Sequence, residues 1–168
     1  MTLDALNRLP ADEARTILTR CCGCREWVEQ MVASRPFVNP SQLLSKALTL
    51  WMGLTPGEWR EAFEHHPRIG DLESLKARFA SIADLAANEQ GAVAEASQET
   101  LEALAEGNRA YEERFGYIFI IFASGRSADD MLKTLRQRLN NDPEAELRQA
   151  ALEQWKIMRL RLDGVLAK

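Results

Sequence analysis

The sequence predicts an all-α fold, and three observations carry that prediction. Helix starts and stops recur along the chain, apolar residues return at three- and four-residue spacing between them, and sustained period-two alternation is nearly absent. Of the 168 residues, 46% are hydrophobic, enough for one substantial buried core. The expected architecture is a compact single domain over residues 1–168, a bundle of about eight to ten helices with one extended apolar segment.

Short helices dominate the first half. One runs from about Ala11 to Cys22 and is broken by Gly23, read as a left-handed cap. The next carries Trp27, Val28 and Met31 and stops before Arg35-Pro36, because a residue preceding proline disfavours helical geometry. Asn39 caps a third helix with Pro40 in its first turn, and Leu43, Leu44, Ala47, Leu48, Trp51 and Met52 form its apolar stripe up to Gly53. Thr55-Pro56-Gly57-Glu58 is a capping box, so the following helix runs through Trp59 and Phe63 until Pro67 stops it. His66 therefore falls at a helix end.

Asp71 can cap a helix carrying Leu72, Leu75 and Phe79, and another spans Ile82 to about Ala96 with Glu89 and Gln90 inside it. Ser97 caps the next, whose Leu101, Leu104, Asn108, Tyr111 and Phe115 keep helical spacing up to Gly116. Tyr117 to Ala123 is a continuous apolar run with no partner strand, so it is expected as an extended segment threaded through helices. Its backbone N–H and C=O groups then need other partners, which a ligand can supply. Ser127 and Asp130 open a helix with Met131, Leu132, Leu135 and Leu139. Asp142-Pro143 opens the last one, with Leu147, Ala150, Ala151, Trp155, Met158 and Leu162 on its apolar face.

Composition excludes several function classes. A formal charge of −4 lacks the basic surplus that a phosphate backbone requires, so no nucleic-acid partner is expected. No apolar run approaches the roughly 20 residues needed to cross a bilayer, and the start has neither a cationic leader nor a signal-like apolar segment. The expectation is a cytoplasmic protein without a membrane partner. Cys21, Cys22 and Cys24 are too close together to staple distant parts of a fold, and no second Cys or His pair at zinc spacing follows them. They read as small buried thiols at a helix end, and no metal site is expected.

Three places could carry chemistry. His65 and His66 are the only histidines, about 100° apart on a helix, so they do not readily share one pocket. Pro67 fixes the chain direction immediately after His66, which makes it the sharper proton-transfer candidate; a surface histidine ending a helix is the plain alternative. Glu89-Gln90 places an anion beside an amide, suited to an amide- and hydroxyl-bearing ligand, or else forms a solvated helix face. Ser124-Gly125-Arg126-Ser127 could meet a carboxylate, or be a polar loop entering a capped helix. These residues alone suggest where a pocket could lie but name no reaction.

Taken together they resemble the 2-oxo-4-hydroxy-4-carboxy-5-ureidoimidazoline (OHCU) decarboxylases, which complete the conversion of urate to allantoin. The likeness runs through Cys21-Cys22-Gly23 with Trp27, Arg35-Pro36-Phe37, His66-Pro67-Arg68-Ile69-Gly70, Glu89-Gln90, Asn108 with Tyr111, Phe115-Gly116 and Phe119 to Ala123. It continues through Ser124-Gly125-Arg126, Arg138-Leu139, Lys156-Ile157 and Leu160-Arg161-Leu162. The resemblance implies a small helical enzyme, commonly a homodimer, that uses no metal or organic cofactor. It implies His66 and Glu89 as catalytic residues. Substrate contacts would come from Pro67, Glu89, Gln90, the segment Phe119, Ile120, Ile121, Phe122 and Ala123, and Arg161. Two departures stand out: Ala86 replaces the usual serine three residues before the glutamate, and Phe122 a more usual cysteine.

Two other readings are carried forward. A non-enzymatic helical module would bind a partner through Leu147, Trp155, Met158 and Leu162, and should expose a large apolar patch. A metal-dependent amide hydrolase would use His65 and His66 with Glu61 or Glu64.

Overall fold

The structure, a computed structural model, describes residues 1–66, 73, 75–77 and 97–167. Among them eight helices have defined bounds and no strand occurs: α1 (Leu3–Arg8), α2 (Ala11–Cys21), α3 (Arg25–Ala33), α4 (Pro40–Met52), α5 (Pro56–Glu64), α6 (Gln98–Phe115), α7 (Ala128–Arg138) and α8 (Pro143–Leu166). The all-α expectation holds. The helices expected between Asp71 and Ala96 lie largely outside the described residues; Glu73 and residues 75–77 are helical, and Leu75 is buried.

Local punctuation sets the boundaries as its chemistry dictates. Asn39 Oδ1 accepts the Gln42 N–H at 2.8 Å, and the capping box closes from both sides, with Glu58 N–H on Thr55 Oγ1 at 3.3 Å and Thr55 N–H on Glu58 Oε2 at 2.7 Å. Ser97 and Ser127 accept the N–H groups of Thr100 and Asp130, and Asp142 Oδ1 those of Glu144 and Ala145. Gly116, at φ 80°, ends α6 in the left-handed region. Gly23 does not do the same for α2. Cys22 closes that helix in extended geometry, and among the described residues only Gly116 and Gly125 have positive φ.

The chain divides into two compact units, Met1–His66 with Leu147–Lys168, and Pro67–Glu146. The first is built on three buried tryptophans, each donating its indole N–H to a helix carbonyl. Trp27 donates to Ala47 O, Trp51 to Ala151 O and Trp59 to Trp51 O, at 3.0, 2.9 and 2.8 Å. Large apolar area is thereby buried without leaving the ring nitrogens unsatisfied. Arg35-Pro36-Phe37 fastens α1: Arg35 Nη1 donates to Leu6 O and Leu9 O, and the Phe37 backbone exchanges hydrogen bonds with the Asn7 amide. On α4 the buried stripe narrows to Leu43, Ala47 and Trp51, while Leu48 and Met52 are exposed.

In the second unit α6 lies against α7, with Gly107 in close contact with Leu135, and Thr100 Oγ1 donates to Asp129 Oδ1 at 2.8 Å. Tyr111, Phe115, Tyr117 and Phe119 form an aromatic cluster with ring centroids 4.7–6.3 Å apart. The apolar run forms neither helix nor strand from Ile118 to Ala123, and Ile120 and Ile121 are buried.

Candidate functional site

His66 is placed by the end of α5. The His65 and His66 N–H groups donate to Ala62 O and Phe63 O, at 3.3 and 3.2 Å, tightening the last turn before Pro67. The His66 ring is half-buried, and its Nε2 hydrogen bonds with Gln154 Oε1 on α8. His65 is exposed and turns back over the Cys-Cys-Gly-Cys segment. A Cβ added at Gly23 would stand 2.2 Å from His65 Cγ, so close approach, not a left-handed turn, requires glycine there.

The three cysteines are free and buried. Burial pushes the Cys21 thiol up from its ordinary value of 9.0 to about 11 and Cys22 to about 12, with Cys24 raised for the same reason. They remain neutral packing groups at neutral pH. Arg161 lies beside them: exposed, with Nη1 donating to Cys21 O at 3.2 Å, it sets a cation at the C-terminus of α2.

The apolar run is anchored in the second unit by a buried ion pair. Arg138, 4% exposed, meets fully buried Glu146 at 2.6 Å. Its Nη1 donates to Ile120 O at 2.6 Å, and its guanidinium covers the Phe119 ring, 4.5 Å from the centroid. Tyr111 Oη and Asn141 Nδ2 donate to the same carboxylate, at 2.6 and 3.0 Å. Burial, then donation to Glu146, pushes the Tyr111 hydroxyl up, so it stays protonated as a donor. Farther along the run, Ala123 O accepts from Arg126 N–H at 3.1 Å.

Of the residues singled out in the sequence, His66 and Arg161 lie in the first unit, and Phe119, Ile120, Ile121, Phe122 and Ala123 in the second. Pro67, Glu89 and Gln90, with Ala86, lie outside the described residues. Two groups escaped sequence reasoning. Arg138 enters the sequence analysis only through the resemblance and Glu146 not at all, although Asn141, Arg138 and Tyr111 all converge on Glu146. Gln154 carries no signal of its own in the sequence, although it occupies the stripe position between Ala151 and Met158.

The competing readings meet specific findings. Leu147, Met158 and Leu162 are buried and Trp155 is half-buried, so that stripe is core, not a free docking face. Among the described residues no three His, Cys, Asp or Glu side chains are grouped to hold a metal, so His65, His66, Glu61 and Glu64 do not form such a set. No helix among these residues is long and apolar enough to cross a membrane.

The family model for OHCU decarboxylase matches residues 7–163. The chain belongs to the OHCU decarboxylase family. A uric acid degradation bifunctional protein of Arabidopsis thaliana is 40% identical over 84% of this chain and 44% of its own length. For the bifunctional protein PucL of Bacillus subtilis the figures are 25%, 99% and 33%, so the chain spans a third to under half of these curated relatives. A 2-oxo-4-hydroxy-4-carboxy-5-ureidoimidazoline decarboxylase of Haloferax volcanii is 27% identical over 96% of this chain and 94% of its own. Among solved structures, an OHCU decarboxylase crystallised in the presence of (S)-allantoin superposes with a TM-score of 0.72 at 33% identity. That match covers 89% of this chain and 96% of the other.

Proposed function

We propose that this chain decarboxylates 2-oxo-4-hydroxy-4-carboxy-5-ureidoimidazoline to (S)-allantoin in urate breakdown. The observation that carries this reading is the family match, which runs over residues 7–163. It is joined by a solved relative, 33% identical, crystallised in the presence of (S)-allantoin.

The substrate's chemistry makes modest demands on a protein. Loss of CO2 leaves an electron pair on carbon, which the conjugated C=N and C=O groups of the imidazoline ring delocalise, so the substrate is its own electron sink and no cofactor is called for. What remains is orientation, support for the developing enolate-like charge, and delivery of a proton to one face of the ring. In this reading His66 supplies that proton and fixes the S configuration. Glu89 accepts hydrogen bonds from the substrate hydroxyl or ureido N–H, and Gln90 pairs with the ureido amide. Pro67, the backbone of Phe119 to Ala123, and Arg161 line the ligand. Arg138 supports the run by holding Ile120 O.

The protein is proposed to act in the cytoplasm as a homodimer, with exposed apolar side chains such as Leu48, Met52, Leu152 and Leu160 available for contact. The test is to add the chain to freshly oxidised and hydrolysed urate and follow chiral allantoin by circular dichroism, with and without a chelator. Rapid growth of the (S) signal, indifferent to chelation, is expected. Allantoin appearing only at the spontaneous rate would refute the activity, and loss of the signal on chelation would contradict its independence of a metal.

A further inference from the structure

Buried polar side chains are costly unless their hydrogen bonds serve something, and α8 contains one that interrupts an otherwise apolar face. Leu147, Ala151, Met158 and Leu162 recur at helical spacing and are all buried; Gln154 sits in the same stripe and is 1% exposed. Packing alone would favour leucine or methionine there. Gln154 Nε2 has no hydrogen-bond partner among the described residues, so the amide is retained in spite of one end. Its other end, Oε1, meets His66 Nε2.

We propose that Gln154 is the positioning residue for His66: its side-chain carbonyl accepts from Nε2–H, fixes the ring and assigns proton exchange with the substrate to Nδ1. A carbonyl oxygen can only accept, so Nε2 keeps its proton in both the neutral and the charged ring. The nitrogen that titrates is then Nδ1. Because the amide oxygen is uncharged, it selects the tautomer without adding a fixed negative charge beside the imidazole. The kinetic consequence rests on the proposed decarboxylase reading; the tautomer does not.

The experiment combines 15N NMR of the histidine rings, assigned against His66→Asn, with steady-state kinetics. The wild-type neutral His66 is expected as the Nε2–H tautomer. Gln154→Met keeps the side chain's length and removes the acceptor: the tautomers should mix, and kcat should fall about 10- to 100-fold with KM changing less than about 3-fold. Gln154→Glu, which keeps an acceptor oxygen, should retain the Nε2–H form and recover most of kcat. An Nδ1–H tautomer in the wild type, or unchanged tautomer and kcat in Gln154→Met, would overturn the proposal. If Gln154→Met does not fold, the wild-type tautomer and Gln154→Glu still decide. A wild type without decarboxylase activity but with the Nε2–H form, lost in Gln154→Met, would remove the functional reading and leave the positioning role standing.

Discussion

At the residue scale, small changes near His66 should have disproportionate effects. A methyl at Gly23 would press on His65 Cβ, Cγ and Cδ2, at 2.2–2.6 Å, and Cβ next to the backbone cannot swing away. Gly23→Ala is expected to cost about 1–3 kcal/mol in urea unfolding and to lower kcat by displacing the turn that carries His66. The neighbouring thiols should ignore an alkylating reagent at pH 8 in the folded protein and react readily once it is unfolded. Their pKa values are higher folded than unfolded, so the folded state binds the protons more tightly. Stability is therefore full below pH 9 and is lost as pH rises through the window up to about 11 for Cys21 and about 12 for Cys22. Denaturant titrations at pH 8 and pH 10 should show the decline, at most about 1.4 kcal/mol per pH unit per thiol. His66 was legible as a candidate because Pro67 follows it. Gln154 was not, since a lone glutamine reads as solvated unless the register of its stripe is followed through it.

At the element scale, α5 aims the histidine turn and begins with the complete Thr55–Glu58 capping box. Thr55→Ala should cost about 1 kcal/mol, seen as a Tm lower by about 2–4 °C. The buried Arg138–Glu146 pair holds the apolar run in place. Arg138→Met strands a carboxylate that is fully buried, and about 3–5 kcal/mol of stability should be lost. Adding Glu146→Gln should return part of that loss, which a double-mutant cycle in urea would read. Caps and prolines made the helix limits readable, because each rests on a local hydrogen bond or a missing N–H. The pair was not readable, because it depends on three elements meeting, with Ile120 O satisfied from α7.

At the scale of the whole molecule, the all-α architecture follows from periodicity that any core-facing helix must show, and the structure bears it out. The candidate site is a different matter. Its expected members are scattered from His66 to Arg161, and no periodicity links a histidine at one helix end to residues far along the chain; only their joint resemblance to a family did so. The α8 stripe of Leu147, Trp155, Met158 and Leu162 shows the same limit in reverse: its pattern is most simply that of a core or dimer contact, but only burial separates that from a docking face. The central claim is that His66 delivers the proton that turns the decarboxylated ring into (S)-allantoin. Its most direct test is the initial rate of (S)-allantoin formation, by circular dichroism on fresh substrate, for the wild type and His66→Asn side by side. A drop of about 10²–10⁴-fold in a folded variant is predicted; equal rates would contradict the account.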